Sequence, residues 1–175
     1  MNITVYLGSG MGNDNSIKDA VRRLGEWIGT SGNTLVYGGS KMGMMGILAD
    51  SVLALGGKVI GVEPRMFVEN EFQHSGITEL IVTEDMPERK AKMIELGDAF
   101  IALPGGTGTL DEISEIMSLV SLNVIDSPCI LYNIDGYYNG LKELLDKMIS
   151  YDLSSKSRQS RIHFVSSISG IGELI

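Results

Sequence analysis

Apolar positions along this chain switch repeatedly between two periods. Ile3–Leu7, Thr34–Tyr37, Lys58–Val62 and Ala99–Leu103 are short β-branched or aliphatic runs that read as strands. Between the first two, Ile17, Val21, Leu24 and Ile28 recur at helical spacing, and a second helix is predicted over Gly43–Leu55. Arg65–Gly76 follows neither period. Glu79–Val82 predicts a further strand. Pro87 opens a helix running to about Leu96, since a missing N–H has no partner to lose in the first turn. A helix over Thr109–Leu122, a strand over Cys129–Ile134 and a helix over Tyr137–Ser150 follow, the last with Leu141, Leu144, Leu145 and Met148 on one face. Ser154–Ser160 is polar and reads as a mobile loop. Ile162–Val165 returns as a last strand, and Gly170–Ile175 is too short to assign. Strands alternating with helices of about 12 residues imply right-handed crossovers and a parallel sheet covered on both faces. The pattern predicts one doubly wound α/β domain over residues 1–175.

Composition narrows the partners. A chain of 175 residues with 43% apolar content suits one full hydrophobic core, and 22 glycines without a collagen period imply many tight turns. A net charge of −8 argues against a nucleic-acid backbone or an anionic membrane as partner. It leaves room for a small phosphate ligand, because such sites are built from backbone N–H groups and a few local cations. Cys129 is the one cysteine, which excludes an intrachain disulfide and a cysteine-based zinc site. The start, Met1-Asn2-Ile3-Thr4-Val5, lacks a basic leader, and no apolar run nears the ~20 residues of a membrane span. The expectation is a cytoplasmic protein.

Three glycine clusters follow predicted strands: Gly8-Ser9-Gly10, Gly38-Gly39 and Gly105-Gly106-Thr107-Gly108. In a parallel sheet all three fall at the carboxyl edge, where open α/β folds bind ligands. The third runs from Leu103-Pro104 straight into a helix, so its N–H groups suit a phosphate, with hydroxyls from Thr107 and Thr109. Gly8, Ser9, Gly39 and Gly105 to Thr109 are therefore the candidate nucleotide contacts. The first loop lacks the last glycine of G-x-G-x-x-G, and no G-x-x-x-x-G-K-[S/T] occurs. His74 and His163 are far apart and form no H-E-x-x-H site, so no metal ligands are assigned. Glu112 fits two roles: a capping box Thr109-x-x-Glu112, or a carboxylate behind the phosphate loop. Arg89 and Lys90, in the first turns of their helix, oppose its macrodipole and so call for an anionic partner, either a phosphate or a carboxylate such as Glu112.

Leu103-Pro104-Gly105-Gly106-Thr107-Gly108-Thr109-Leu110-Asp111-Glu112 resembles the P-G-G-x-G-T-x-x-E motif of the Lonely Guy phosphoribohydrolases, cytokinin-activating enzymes often labelled lysine decarboxylases. Met86-Pro87-Glu88-Arg89-Lys90 is similar to the family's M-x-x-R-K. Leu35-Val36-Tyr37-Gly38-Gly39 through Met45-Gly46, Val59-Ile60-Gly61-Val62 and Gly136-Tyr137-Tyr138 match in order and spacing, so the resemblance covers about Ile3 to Ser150. It implies a Rossmann-like domain, a homodimer with the active site at the subunit interface, and hydrolysis of a nucleoside 5′-monophosphate to free base and ribose 5-phosphate. By position Arg89 and Glu112 correspond to the catalytic pair, with Lys90 beside them, and Glu71 to an acidic substrate contact. Pro87 replaces a common histidine. Met117, Leu119 and Ser121 replace the tryptophans and glutamine of plant-like members, which leaves open the choice between adenine and N6-prenylated adenine.

The chemistry expected of such a site is departure of the base through an oxocarbenium-like state. Glu112 would stabilise that charge or activate water, and Arg89 would hold the phosphate or fix Glu112. No residue stands out in the sequence as the acid for the leaving base, and no metal or redox cofactor is called for. The rival reading is a non-catalytic nucleotide or molybdenum-cofactor carrier on the same fold, which would need the glycine loops but neither Arg89 nor Glu112. A lysine decarboxylase would need a pyridoxal-phosphate lysine site that nothing here resembles. In the helix Thr109–Leu122, Leu110, Ile113, Met117 and Val120 form a stripe for the sheet, while Leu119 and Leu122 extend beyond it and predict a homodimer contact.

Overall fold

The computed structural model describes residues 1–70 and 72–175. Its strands are β1 (Asn2–Tyr6), β2 (Thr34–Tyr37), β3 (Lys58–Pro64), β4 (Glu79–Thr83), β5 (Ala99–Ala102), β6 (Cys129–Tyr132) and β7 (Ile162–Val165). They form one sheet in the spatial order β4-β3-β2-β1-β5-β6-β7, with every neighbouring pair parallel. The central strand is β1, where Thr4 pairs with Val36 on one side and Phe100 on the other.

Because side chains alternate across a strand, β1 feeds two cores. Ile3 and Val5 pack with Leu24 and Ile28 of α1 (Asn15–Thr30), and with Leu48 and Val52 of α2 (Gly43–Leu53). Tyr6 faces the opposite side, onto Met93 of α4 (Met86–Leu96) and Ile113, Ile116 and Val120 of α5 (Thr107–Ser121). The same side takes Leu145 of α6 (Asn139–Ser150), and the first core is closed by Ile171 of α7 (Ile168–Gly172). The sheet thus buries both faces, as its nearly unbroken apolar strands require.

Local differences from the pattern have physical reasons. The stretch 65–76 lacks a period because, among its described residues, it holds one turn of helix, α3 (Arg65–Val68), and an isolated antiparallel bridge between Ser40 and Gln73. The strand predicted to Ile134 stops at Tyr132, where Asp135 and Gly136 take positive φ (50° and 75°) in a turn. In α6 Leu144 is exposed while Leu145 carries the burial, and in α5 Leu110 is exposed while Ile116 fills the stripe instead. Ser154–Ser160 is a run of turns held by backbone bonds such as Gln159 to Ser155, with the Gln159 side-chain amide donating to the Leu145 carbonyl.

The chain runs outward from β1 through β2, β3 and β4, then returns to lay β5 on β1's other edge. That reversal lies between β1 and β5, and at such a point the loops leaving the carboxyl ends part and leave a crevice.

Candidate active site

A cavity of about 730 Å³ opens at this carboxyl edge. One wall is made by Gly8, Ser9 and Gly10 after β1 and by Gly106, Thr107 and Gly108 at the start of α5. The other wall is apolar, from Met42, Met45, Phe67, Phe72 and Met86. Among the described residues, Arg89, Glu112 and Glu63 are the buried charged ones in its lining.

α5 begins two residues earlier than its sequence pattern suggests. Gly106 is its N-cap, with no side-chain cap bond, so the first N–H groups of the helix are left for water or a ligand. Thr109 is not the cap but lies in the first turn, buried against Gly105. A Cβ on Gly105 would come within 2.2 Å of the Thr109 hydroxyl and 3.0 Å of the Gly8 amide. Gly105 is therefore a packing glycine that brings the first loop against α5. The Gly136-Tyr137-Tyr138 segment supports the same loop from behind, with the Tyr137 hydroxyl donating to the Gly105 carbonyl and Tyr138 to that of Leu103.

The capping-box reading of Glu112 does not hold. Its Oε1 accepts a hydrogen bond from Arg89 Nη1 at 2.6 Å, and each side chain is only 7% exposed. In a buried setting a charge-assisted bond of this kind outweighs a cap bond to a neutral amide. α4 is capped without this pair: Asp85 accepts from the Glu88 amide, and Glu88 accepts from the Glu84 amide. Arg89 also donates from Nε to the Val62 carbonyl at 3.1 Å, which ties α4 to the end of β3. A Cβ on Gly38 would meet Arg89 Nη2 at 2.5 Å, so the guanidinium lies over that glycine.

Burial pushes the Glu112 carboxyl above its ordinary value, against the charge and hydrogen bond of Arg89. The Tyr6 phenol is raised by burial and then by the charge of Glu112, so it remains protonated. The structure thus brings Arg89, Glu112, Gly8, Ser9, Gly106, Thr107, Gly108 and Thr109 into one cavity lining. Lys90 is not in the lining and pairs with Asp111 at 2.9 Å, itself a lining residue, and with Glu115 at 3.0 Å. Gly39 and Gly105 support the lining from behind, and Glu71 lies outside the described residues.

Two features were not read from the sequence. Glu63 follows a strand whose apolar pattern ends at Val62, and only the fold shows it buried. The Met and Phe wall carries a faint signal: Met42, Phe67, Phe72 and Met86 are all exposed apolar residues, and they come together only in space.

Residues 45–174 match the family described as possible lysine decarboxylase. The chain is 43% identical over 145 residues to a rice protein named probable cytokinin riboside 5′-monophosphate phosphoribohydrolase LOGL1, covering 83% of this chain and 65% of the relative. It thus spans just under two thirds of that relative's length. It is 38% identical over 173 residues to Arabidopsis thaliana cytokinin riboside 5′-monophosphate phosphoribohydrolase LOG1, covering 99% and 80%. Identity to the enzyme of that name from Rhodococcoides fascians is 39% over 169 residues, covering 96% and 85%. Among solved structures, the molybdenum cofactor binding protein of Rippkaea orientalis superposes with a TM-score of 0.71 at 24% identity, over 99% of this chain and 93% of that one. That likeness establishes the shared Rossmann-like fold. On the family match and these identities, the chain belongs to the cytokinin riboside 5′-monophosphate phosphoribohydrolase family, whose broader description is possible lysine decarboxylase.

Proposed function

We propose that this protein hydrolyses the N-glycosidic bond of a purine nucleoside 5′-monophosphate, AMP or an N6-substituted AMP, to free base and ribose 5-phosphate. The observation that carries the reading is the buried Arg89–Glu112 pair sharing one cavity with the uncapped start of α5. The names of the relatives support the reaction and its substrate class.

In this reading the 5′-phosphate is held by the Gly106–Thr109 turn and the Gly8–Gly10 loop, through N–H groups at a helix start. The base lies along Met42, Met45, Phe67, Phe72 and Met86. The ribose then lies over Glu112. Arg89 engages Oε1 and leaves Oε2 for the sugar, where it faces positive charge growing at C1′ or takes a proton from attacking water. The carboxylate is fixed beforehand, so it need not reorganise during reaction. A carrier of a nucleotide-like cofactor would have no use for such a pair.

The test is incubation with AMP and with N6-isopentenyl-AMP, followed by chromatography for free base and ribose 5-phosphate. Release of neither base would overturn the reading. The working unit in this proposal is a homodimer within the cytoplasm, for which the exposed Leu110 near the start of α5 and Leu122 and Val124 just after its end supply apolar surface along the helix that carries Glu112. Light scattering that finds a fully active monomer of 18.9 kDa would remove it.

A further inference from the structure

Glu63 is a buried charged residue of the cavity lining that the scheme above leaves unused, alone in this among the described residues. It is the next-to-last residue of β3, it is 2% exposed, and its Oε2 has no hydrogen-bond partner among the described residues. Buried carboxyl oxygens are normally paired, and each exception asks for an explanation. The packing around it is tight: a Cβ on Gly39, where φ is +85°, would come within 2.9 Å of Glu63 Cβ and 3.3 Å of Oε2. Gly39 is thus the glycine that makes room for this side chain. The titratable groups facing it are Arg89 from α4 and Tyr37 from β2. Arg89 directs its hydrogen bonds to Val62 and Glu112, and the Tyr37 hydroxyl donates to the Ser40 carbonyl, so neither satisfies the carboxyl. Burial pushes Glu63 up to about 7, with the charge of Arg89 acting the other way. The same cavity is lined by Ser40 and by Met45, Phe67 and Phe72, the apolar residues assigned above to the base.

We propose that Glu63 reads the purine and supplies the proton to the departing base, its O–H donating to ring nitrogen N7 while its other oxygen accepts from the exocyclic N6–H. The proposal rests on the hydrolase reading of the same cavity. A neutral carboxyl has one donor and one acceptor side by side, which matches that edge of a 6-aminopurine. As the C1′–N9 bond breaks, its electron pair passes to the base, and the Glu63 proton moves to N7, so the base leaves neutral. Water forms the new C1′–O bond and gives its proton to Glu112. Solvent exchange then moves one proton off Glu112 and one onto Glu63, which restores the starting state.

The diagnostic variant is Glu63→Gln, because an amide keeps one donor and one acceptor for the adenine edge yet has no proton to transfer. With AMP, KM is expected within about threefold of wild type while kcat falls about 10²–10⁴-fold, the usual contribution of a positioned acid. With 4-nitrophenyl ribofuranoside 5-phosphate, whose leaving group departs as a stable anion, the same variant retains turnover within a few-fold. Glu63→Leu is expected to raise KM for AMP as well. Equal losses on AMP and the nitrophenyl substrate, or wild-type AMP turnover by Glu63→Gln, would overturn the proposal. Failure of the hydrolase reading shows differently, as no base release by the wild-type protein from any nucleotide. The acid step would fall with it. Base reading is then tested by calorimetry: at least tenfold tighter binding of AMP than of IMP, kept in Glu63→Gln and lost in Glu63→Leu. No preference between AMP and IMP in the wild type overturns that part too.

Discussion

Glu112 and Glu63 line the same cavity, each almost fully buried, and both feel the charge of Arg89, one from α5 and the other from near the end of β3. Arg89 lowers both by its charge but hydrogen-bonds only Glu112. One carboxyl is thereby fixed as half of an ion pair, while the other is left with an unpartnered oxygen and a proton held to about pH 7. Two identical side chains at similar depth acquire different chemistry from one hydrogen bond. Pairs of acids whose surroundings differ in this way are how a single site holds a base and an acid together.

Of the effects beyond the Glu63 acid step, the largest breaks the Glu112 side of the comparison. Glu112→Gln removes the charge but keeps the shape, and kcat for AMP should fall about 10²–10³-fold, as when one preorganised group facing transition-state charge is lost. Nucleotide affinity, measured by calorimetry, should stay within a modest factor, since that charge appears only in the transition state. Wild-type turnover in the folded variant would return Glu112 to a purely structural role.

Next in size is the contribution of the phosphate. Adenosine should react with kcat/KM about 10²-fold below that of AMP, corresponding to about 3 kcal/mol, the scale of one or two hydrogen bonds to a charged group. The loss falls on the glycine wall and leaves Glu63 and Glu112 alike untouched, so it checks that the two acids depend on a substrate anchored elsewhere. Equal efficiencies would dissociate the α5 start from substrate binding.

The Glu63 side is sharpened by stability rather than rate. The folded chain holds its Glu63 proton up to about pH 7, while the unfolded chain releases it near the ordinary value of 4.5. Between those values the folded state binds more protons, so this residue lowers stability as pH rises through the window. Glu63→Gln removes that dependence. Its gain over wild type should be on the order of 1–3 kcal/mol at pH 8 and near zero at pH 4, read from denaturant midpoints. A gain that is the same at both pH values would mean that the carboxyl does not hold its proton.

The difference between the two acids also marks what the sequence can disclose. Periodicity specified the strands and the cores of the helices, because an apolar stripe such as Val21, Leu24 and Ile28 has one place to go. The glycine loops declared their edge because they follow strands. Glu112 was visible as a candidate but with two roles, since Thr109-x-x-Glu112 satisfies a capping pattern that the helix does not use. Only the approach of α4 to α5 decides between them. Glu63 left no trace: after Lys58–Val62 a charged residue before Pro64 reads as the end of a strand. Glu63 packs against Gly39 on the neighbouring strand's loop, which no periodic pattern links to it.

The smallest expected effect concerns Lys90, the residue beside Arg89. The two are consecutive on α4 and both reach acids on α5, yet Arg89 is buried in the cavity lining while Lys90, not itself in that lining, pairs with the more exposed Asp111 and Glu115. Asp111 is 62% exposed and Glu115 40% exposed, so water screens the charges that Lys90 meets. Those carboxylates raise the Lys90 pKa, chiefly through their hydrogen bonds, and keep the ammonium charged across the neutral range. A pair of this kind contributes within about 1 kcal/mol, whereas removing one partner of a buried pair costs about 3–5 kcal/mol. Lys90→Ala should therefore lower stability by less than about 1 kcal/mol, and the loss should shrink further in 1 M salt. Turnover of AMP should stay within about threefold of wild type. A loss comparable to that of Arg89→Ala, in rate or in denaturant midpoint, would show that Lys90 reaches the substrate in the working enzyme and that burial is not what separates these two cations.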